Sequence, residues 1–329
     1  MFSCGQKKTG DVEYVTFTVV PSSEDDKNIK NEMIDLSDRF KETNNDESFA
    51  NRYSIVKDLS FDYLSSSDIA DPVFSELITK LEGTVEGPYK LTNGSYRLSK
   101  LSEIVDRPDS VKARHILLTK ENFTIDSAKT ILKNLRNQVK NGADFGQLAT
   151  QFSEGASSIW YIENGGFYAN KGSDLGWFSE GQMVQEFNDV CFASSIGGLK
   201  IVTTNLAVHL IQITNVSNTS KKYKIVYFDK EVVASVQTKD NYYIQVNNFI
   251  NSVNAKDDGT SFSSFAESKN LLVRKAVNVN KMQSNISGLQ NSEAIIKWMF
   301  DENTKEGDIS NSIYTCGDDY VVVRLLWHY

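Results

Sequence analysis

The stretch Ser173-Asp-Leu-Gly-Trp-Phe-Ser-Glu-Gly-Gln-Met-Val-Gln-Glu-Phe187 sets the interpretation of the whole chain. It begins as a glycine-flanked turn and continues into a segment where Met183 and Phe187 are four residues apart, on one side of a helix. With Leu175 they predict a small apolar cup that matches a proline ring in size. Ordinary core packing is the alternative interpretation, because apolar residues at helical spacing usually serve only to bury surface.

Length and composition narrow the classes of protein to consider. A chain of 329 residues predicts two or three domains. Its net charge of −8 argues against a nucleic-acid partner, which selects a basic face. The sequence contains no apolar run of about 18 residues, the length of a membrane span. No signal-peptide apolar region precedes Cys4. We therefore expect a soluble chain or a fragment, with any membrane anchor outside it.

The cysteines and histidines do not have the spacing of a metal site. Cys4, Cys191 and Cys316 lie far apart, and an odd number excludes a fully paired disulfide framework. Cys191 is flanked by apolar residues, which predicts burial, and no Gly-x-Ser-x-Gly nucleophile motif occurs. We expect neither a metal nor another cofactor.

The chain repeats one pattern three times, over residues 11–106, 110–215 and 222–329. Each copy begins with a β-rich run, continues through helical segments and closes with two strands. This pattern predicts an α+β protein of three tandem domains, each a small antiparallel sheet flanked by helices.

Two local signals support this organisation. The glycine-to-tyrosine steps 83–96 and 307–320 have the same length of thirteen residues, one in the first copy and one in the third. The middle copy contains a well-marked helix, with Asp126 as the predicted N-cap and Gly142 just beyond its end.

Histidines distinguish the middle copy from the other two. His115 lies on its first strand and His209 on its last, whereas the third histidine of the chain is His328. If those two strands are neighbours in an antiparallel sheet, the rings of His115 and His209 face each other. A lone histidine on a strand is more often structural, but two beside an apolar cup favour a functional floor.

The first and third copies lack this histidine pair. Our alignment of the repeats places Thr16 and Tyr96 at the matching positions of the first copy, and Val226 and Tyr320 at those of the third. We therefore expect a site in the middle copy alone.

An ordered set of motifs in the middle copy resembles the parvulin family of peptidyl-prolyl cis–trans isomerases. The motifs are Arg114-His-Ile-Leu-Leu118, Ala143-Asp-Phe145 with Leu148-Ala149, Ser173-Asp-Leu-Gly-Trp-Phe178, Gly181-Gln-Met183, Glu186-Phe187 and Val208-His-Leu-Ile211. The resemblance covers about residues 110–215. It implies an FKBP-like fold for the middle copy and degenerate parvulin-like domains on either side. The whole chain is similar to the multidomain periplasmic folding factors of the SurA and PpiD kind, which implies a periplasmic location.

The resemblance also implies roles for seven side chains. His115 and His209 correspond to the catalytic pair, and with Thr204 they would form the polar floor. The substrate-binding wall would consist of Leu175, Phe178, Met183 and Phe187. An X-Pro bond isomerises slowly because rotation breaks amide resonance, a barrier of roughly 18–20 kcal/mol. An enzyme therefore has only to favour the twisted amide, without covalent chemistry.

Two positions depart from the family pattern. Gly155 stands where the family usually has Cys or Asp, and Leu206 stands where some members have Ser. Both changes remove polar groups near the twisted bond, which predicts weakened activity with proline binding retained. A non-catalytic chaperone that grips prolyl segments is therefore the alternative, and a structural repeat protein with a vestigial pocket is a further one.

The expected clients are unfolded or extended polypeptides that contain proline. The resemblance implies outer-membrane or secreted proteins. The loop that carries Lys120 also carries Glu121 and Asp126 and has no arginine cluster, so phosphate-dependent recognition is not expected.

The loop 155–172 is about ten residues longer than the family's usual connection. Trp160, Tyr161, Phe167 and Tyr168 surround its Gly-Gly pair, which predicts either a small local core or an aromatic flap over the proline cup. If the loop is a flap, replacing 157–170 by a Gly-Ser linker is expected to change peptide affinity or isomerase rate several-fold.

Overall fold

The structure is a computed structural model that describes residues 8–57, 59, 61–154, 160–162, 165–167, 174–255 and 261–328. It is an α+β protein with several small antiparallel sheets and helices. The chain divides into two compact units, one made of residues 1–30 and 232–329 and the other of residues 31–231. In the described part of the chain, no helix combines the length and the apolar character needed to cross a membrane.

The helices are α1 (Ser23–Glu42), α2 (Asp46–Tyr53), α3 (Pro72–Leu77), α4 (Ile125–Lys140), α5 (Phe145–Phe152), α6 (Gln185–Phe192), α7 (Val236–Asn254), α8 (Ser261–Ser268) and α9 (Glu293–Met299). The strands are β1 (Thr9–Thr18), β2 (Tyr63–Ser65), β3 (Val85–Lys90), β4 (Tyr96–Pro108), β5 (Ser110–Thr119), β6 (Trp160–Ile162), β7 (Gly165–Phe167), β8 (Asp174–Ser179), β9 (Leu199–Thr203), β10 (Ala207–Val216), β11 (Thr219–Lys230), β12 (Arg274–Asn280), β13 (Tyr314–Cys316) and β14 (Asp319–His328).

Among the described residues, three four-stranded sheets share one plan. The middle sheet has the order β8-β5-β10-β9, the flanking sheet β2-β11-β4-β3 and the terminal sheet β12-β1-β14-β13. In each sheet an opening strand (β5, β11 or β1) pairs antiparallel with a closing strand (β10, β4 or β14), which also forms a hairpin with the strand before it. The flanking and middle sheets both belong to the unit 31–231.

The prediction of three tandem domains is not confirmed. The opening strand of the first copy, β1, pairs with the closing strand of the third, β14. The opening strand of the third copy, β11, pairs with β4 of the first copy. The predicted segments 11–106 and 222–329 thus exchange their opening strands, whereas the middle sheet uses residues 110–216 alone.

The exchange is possible because the opening and closing strands fit one another in the same register. Each closing strand carries one bulged residue that has no partner on the opening strand: Thr214 in β10, Ser102 in β4 and Leu326 in β14. A bulge fixes register and bends the strand, and is therefore a specific feature of the repeat. The sequence repeat predicts such a pair of strands but not which copy supplies each one.

A glycine in the left-handed region precedes each hairpin strand and reinforces the repeat. Gly83, Gly197 and Gly307 have φ of +86°, +82° and +87°, where an L side chain is strained. Their N–H groups donate to equivalent carbonyls, Gly83 to Leu101 at 2.7 Å, Gly197 to Ile213 at 2.8 Å and Gly307 to Leu325 at 2.9 Å. The glycine spacing in the sequence therefore reflects a backbone requirement.

Helices cover both faces of the middle sheet. One face packs Ile116 and Leu118 against α4 and α5, and the other packs Val111 and Ala113 against β8 and α6. The N-cap of α4 is Thr124, whose hydroxyl accepts from Ser127 N at 3.3 Å. The prediction of Asp126 as the cap is therefore wrong, and Asp126 lies in the first turn, where its charge suits the helix dipole.

Candidate functional site

His115 and His209 lie together in the middle sheet. His115 is opposite Ile211 and His209 is opposite Leu117, so the two histidines are diagonal neighbours on one face. Their Nδ1 atoms are 3.3 Å apart, and the ring centroids are 5.4 Å apart. The predicted proximity of the two rings is therefore confirmed.

Both rings are held in the neutral form. Each histidine is 4% exposed. Burial lowers the pKa of His115 to about 4. Burial, followed by the charge of His115, lowers the pKa of His209 to about 3. Since one Nδ1 must donate to the other, neutral imidazoles suit the contact, whereas two imidazolium rings would present two donors.

Thr204 extends this pair into a chain of three polar groups. Its Oγ1 is 3.1 Å from Nε2 of His209 and 3.3 Å from the carbonyl oxygen of Ala207, to which it donates. At the other end, the buried Nε2 of His115 has no hydrogen-bond partner in the described part of the chain. The floor therefore ends in one polar atom with unused bonding capacity.

Aromatic side chains pack against the two histidine rings and form a wall above this floor. The ring of Phe187, near the start of α6, meets His115 edge-on at 5.8 Å and His209 at 5.3 Å between centroids. Phe178 on β8 packs behind it at 6.3 Å. Leu175 belongs to the same buried cluster, and half-buried Met183 packs against that cluster. The structure brings all seven predicted side chains into one place, while their roles stay predictions.

The turn between β8 and α6 contains polar groups that the sequence interpretation missed. Asn188 is 1% exposed, its Oδ1 accepts from Gly181 N at 3.1 Å, and its Nδ2 donates to Glu180 Oε1 at 2.9 Å. Glu180 also contacts Arg107 at the end of β4, 3.2 Å away. Nothing local in the sequence marks Arg107, because it lies 73 residues before Glu180, on a strand of the flanking sheet.

β8 pairs with only the first half of β5. Two residues after α5 accept hydrogen bonds from the second half of that strand. Ser153 Oγ accepts from Leu117 N at 3.0 Å, and Glu154 Oε2 accepts from Thr119 N at 2.7 Å. Gly155 follows immediately and lies outside the described residues. Leu206, the second departure from the family pattern, is 64% exposed in the turn before β10. This exposed apolar residue lies two positions after Thr204 in the sequence.

Most of the loop predicted as a flap lies outside the described residues. Within it, β6 and β7 form a short antiparallel pair in which Trp160 is opposite Phe167. The flap prediction concerns side chains of this segment and stays a prediction.

The remaining chemistry of the site is limited to hydrogen bonding and apolar contact. Cys191 packs in the same buried cluster, and burial raises the pKa of its thiol to about 12, so it is not a thiolate near neutral pH. Among the described residues, no group of three or more His, Cys, Asp or Glu side chains has the arrangement of a metal site.

Part of the chain is similar to known proteins. Residues 96–217 match the family described as the PPIC-type PPIASE domain. The chain is 33% identical over 106 residues to foldase protein PrsA of Geobacillus sp. (strain WCH70), covering 32% of each protein. It is 31% identical over 160 residues to chaperone SurA of Aromatoleum aromaticum, covering 45% of this chain and 33% of that protein.

A solved structure of the peptidylprolyl isomerase PrsA from Bacillus anthracis is 23% identical, covers 51% of this chain and 63% of its own, and has a TM-score of 0.25. The chain spans about a third of the length of the two curated relatives named above.

Proposed function

We propose that this chain, in which residues 96–217 carry a PPIC-type parvulin domain, is a peptidyl-prolyl cis–trans isomerase and folding chaperone. The observation that carries the proposal is the buried, neutral pair of His115 and His209 beneath Phe187. Names of relatives such as foldase PrsA and chaperone SurA support the same class of activity.

The floor suits an amide that loses its resonance. The barrier to rotation, roughly 18–20 kcal/mol, reflects the conjugation that the amide loses when it twists. Hydrogen bonds that form only in the twisted state therefore speed the rotation. The neutral imidazoles leave the floor without an ionic group that water would have to solvate. Because Thr204 donates to Ala207, the chain of hydrogen bonds leaves Nε2 of His115 as an acceptor, which suits a backbone N–H of the peptide next to the X-Pro bond.

The wall supplies the grip on the proline ring. Leu175, Met183 and Phe187 bind the ring, and Phe178 supports Phe187 from behind. Binding the ring while excluding water fixes one side of the X-Pro bond, so that rotation is confined to the other side. A tenfold acceleration needs only about 1.4 kcal/mol of preference for the twisted amide.

Holding prolyl segments without turnover is the second candidate function. It is favoured by Leu206, an exposed apolar residue where some members of the similar family have Ser, and by the chaperone name of one relative. On either account the clients are unfolded or extended polypeptides that contain proline. The periplasmic location and the outer-membrane or secreted clients belong to the same proposal.

The two candidates are separated by substituting Phe187→Leu in the full chain, with Phe74→Leu as the matched control. Phe74 packs against Tyr227 of the flanking sheet at 5.5 Å, much as Phe187 packs against His115, and is similarly buried. The measurements are isomerisation of an unphosphorylated prolyl peptide and suppression of client aggregation.

If the chain is an isomerase, the wild type accelerates the cis–trans exchange of the peptide. The rate of Phe187→Leu should then be about tenfold lower, the equivalent of about 1.4 kcal/mol, and that of Phe74→Leu should equal the wild-type rate. A wild-type chain that binds the peptide and suppresses aggregation but leaves the exchange rate unchanged supports the non-catalytic chaperone instead. Equal losses in both variants would show that the wall acts only through stability.

A further inference from the structure

A buried ion pair connects the flanking sheet to the turn that carries Met183. Arg107 lies at the end of β4, and its guanidinium is 4.0 Å above the ring of Tyr63 and 5.7 Å from that of Phe192. Its terminal nitrogen is 3.2 Å from Glu180 in the turn after β8. The side chains of Arg107 and Glu180 are 8% and 9% exposed, so both charges are removed from water.

Glu180 is also hydrogen-bonded to the residue that follows Phe187 of the wall. Its Oε1 accepts from Asn188 Nδ2 at 2.9 Å, and Asn188 is the residue after Phe187. Asn188 Oδ1 in turn accepts from Gly181 N at 3.1 Å, which holds the turn two residues before Met183. Gly181 has φ of +77°, so the backbone conformation of this turn favours glycine.

The ion pair is poorly suited to stabilising the fold. Nε and Nη2 of Arg107 and Oε2 of Glu180 have no hydrogen-bond partner among the described residues, so the 3.2 Å contact is an ion pair without a hydrogen bond. Burial raises the pKa of Glu180 to about 7, an effect that outweighs the opposing charge of Arg107. Taking two charges out of water can cost more than such a contact returns, so the pair is weak evidence for a role in stability alone.

We propose that Arg107 and Glu180 are positioning residues, through which the flanking sheet sets the placement of Met183 and Phe187 against the histidine floor. This inference rests on the proposed function, since it assumes that these side chains bind the prolyl ring. It assigns the flanking sheet, which has no histidine pair, a part in the activity of the middle sheet.

We expect the positioning to be sensitive to pH near neutrality, because burial raises the pKa of Glu180 to about 7. The groups that face it are Arg107 from β4, Asn188 and Asp189 from α6, and Asp62 from the segment before β2. Asp189 also faces Arg107 at 3.9 Å. Glu180 is charged and attracts Arg107 above its pKa, and that attraction is lost as pH falls. We therefore expect peptide binding to be tighter at pH 8 than at pH 6.

The test is the double variant Arg107→Met with Glu180→Gln in the full chain. It removes both charges together, so neither is left buried alone. The amide oxygen introduced by Glu180→Gln can still accept from Asn188, so that contact is kept. The matched control is Arg97→Met with Asp229→Asn, which removes a partly buried ion pair of 2.6 Å between β4 and β11 of the flanking sheet. The measurements are Kd of a prolyl peptide by calorimetry at pH 6 and pH 8, kcat and KM, and the melting temperature.

We expect the Arg107→Met, Glu180→Gln variant to melt close to wild type and to bind the peptide about five- to tenfold more weakly at pH 8, a loss of about 1 kcal/mol. The difference between pH 6 and pH 8 should disappear, KM should rise with Kd, and kcat should change less. The control should keep the wild-type Kd at both pH values.

Unchanged Kd and unchanged pH dependence in the first variant would overturn the inference, as would an equal change in the control. Kd separates this inference from the isomerase proposal. A wild type that binds the peptide without turnover refutes the isomerase alone, and the comparison of Kd values still decides the role of Arg107 and Glu180. A wild type that does not bind the peptide refutes both.

Discussion

The middle and flanking sheets have the same strand order and the same bulge, yet they carry different groups at equivalent positions. Counted from the bulge, His115 corresponds to Tyr227 of the flanking sheet and His209 corresponds to Arg97. In the middle sheet the two rings meet at 3.3 Å through neutral nitrogens. In the flanking sheet the guanidinium of Arg97 lies 4.2 Å above the ring of Tyr227 and makes two bonds of 2.6 and 2.8 Å to Asp229.

The difference shows how one position in a fold can serve either binding or stability. In the flanking floor, Arg97 is paired with Asp229 of the same sheet. This hydrogen bond raises the pKa of Arg97 above the ordinary value. The middle floor leaves Nε2 of His115 without a partner among the described residues. A floor that retains bonding capacity can serve a substrate, whereas one that has paired its groups contributes to the fold alone.

The terminal sheet has a third set of residues at the positions equivalent to His115 and His209. Its equivalent residues are Tyr14 and Val321, 4% and 0% exposed, so the position is part of an apolar core. The alignment of the sequence repeats assigns the equivalent positions differently, to Thr16, Tyr96, Val226 and Tyr320. That alignment is wrong by one or two residues in each strand, because a bulge and an exchange of strands are not visible in a single sequence.

The largest expected difference between the middle and flanking floors is in how they affect the stability of the fold at acid pH. Above pH 6.5 the stability gained from keeping His115 and His209 neutral is complete, and it is lost as pH falls toward the lowered pKa values of about 4 and about 3. The loss amounts to about 1.4 kcal/mol per pH unit for each histidine. Urea denaturation at pH 7, 6 and 5 measures it.

The variant His115→Gln should lose part of this pH dependence, since one titrating group is gone. Tyr227→Phe, at the equivalent position of the flanking sheet, should keep the wild-type dependence on pH. Equal slopes for wild type and His115→Gln would mean that the histidine floor is protonated or hydrated in the native state.

The second difference concerns the wall, which only the middle sheet is proposed to use for binding. Met183→Ala removes a half-buried side chain from the cup and should weaken binding of a prolyl peptide by about 1–3 kcal/mol. Met282→Ala is the matched control, because Met282 is 89% exposed and belongs to the terminal sheet's unit. Peptide titration of both variants measures the effect, and equal affinities would show that the cup is misassigned.

The site could be predicted from the sequence more completely than the fold. His115, His209 and Phe187 come together because of local rules, namely the alternation along strands and the spacing of a helix. The exchange of β1 and β11 could not be predicted, because the sequence repeat gives the opening and closing strands but not which copy supplies each one. Its outcome is decided by contacts between residues as distant in the sequence as Tyr14 and Val323.

The same limit applies to the polar groups around the wall. Arg107 and Glu180 meet across two sheets, and a single sequence does not show that an arginine and a glutamate so far apart are buried together. Thr124 illustrates a smaller miss, since both Thr124 and Asp126 are acceptable caps and only the geometry of Ser127 N selects between them.

The smallest expected effect separates two threonines in corresponding turns. Thr204, in the turn before β10, is buried against His209, whereas Thr92, in the turn before β4 of the flanking sheet, is exposed. Thr204→Val keeps the shape of the side chain but removes the hydroxyl from Nε2 of His209. A hydrogen bond of this kind contributes about 1 kcal/mol, which corresponds to roughly fivefold in kcat/KM. Thr204→Ser should restore the rate, because it keeps the hydroxyl, and Thr92→Val should match wild type. If Thr204→Val keeps the wild-type kcat/KM, then His209 does not depend on Thr204 for its orientation, and the floor consists of the two histidines alone.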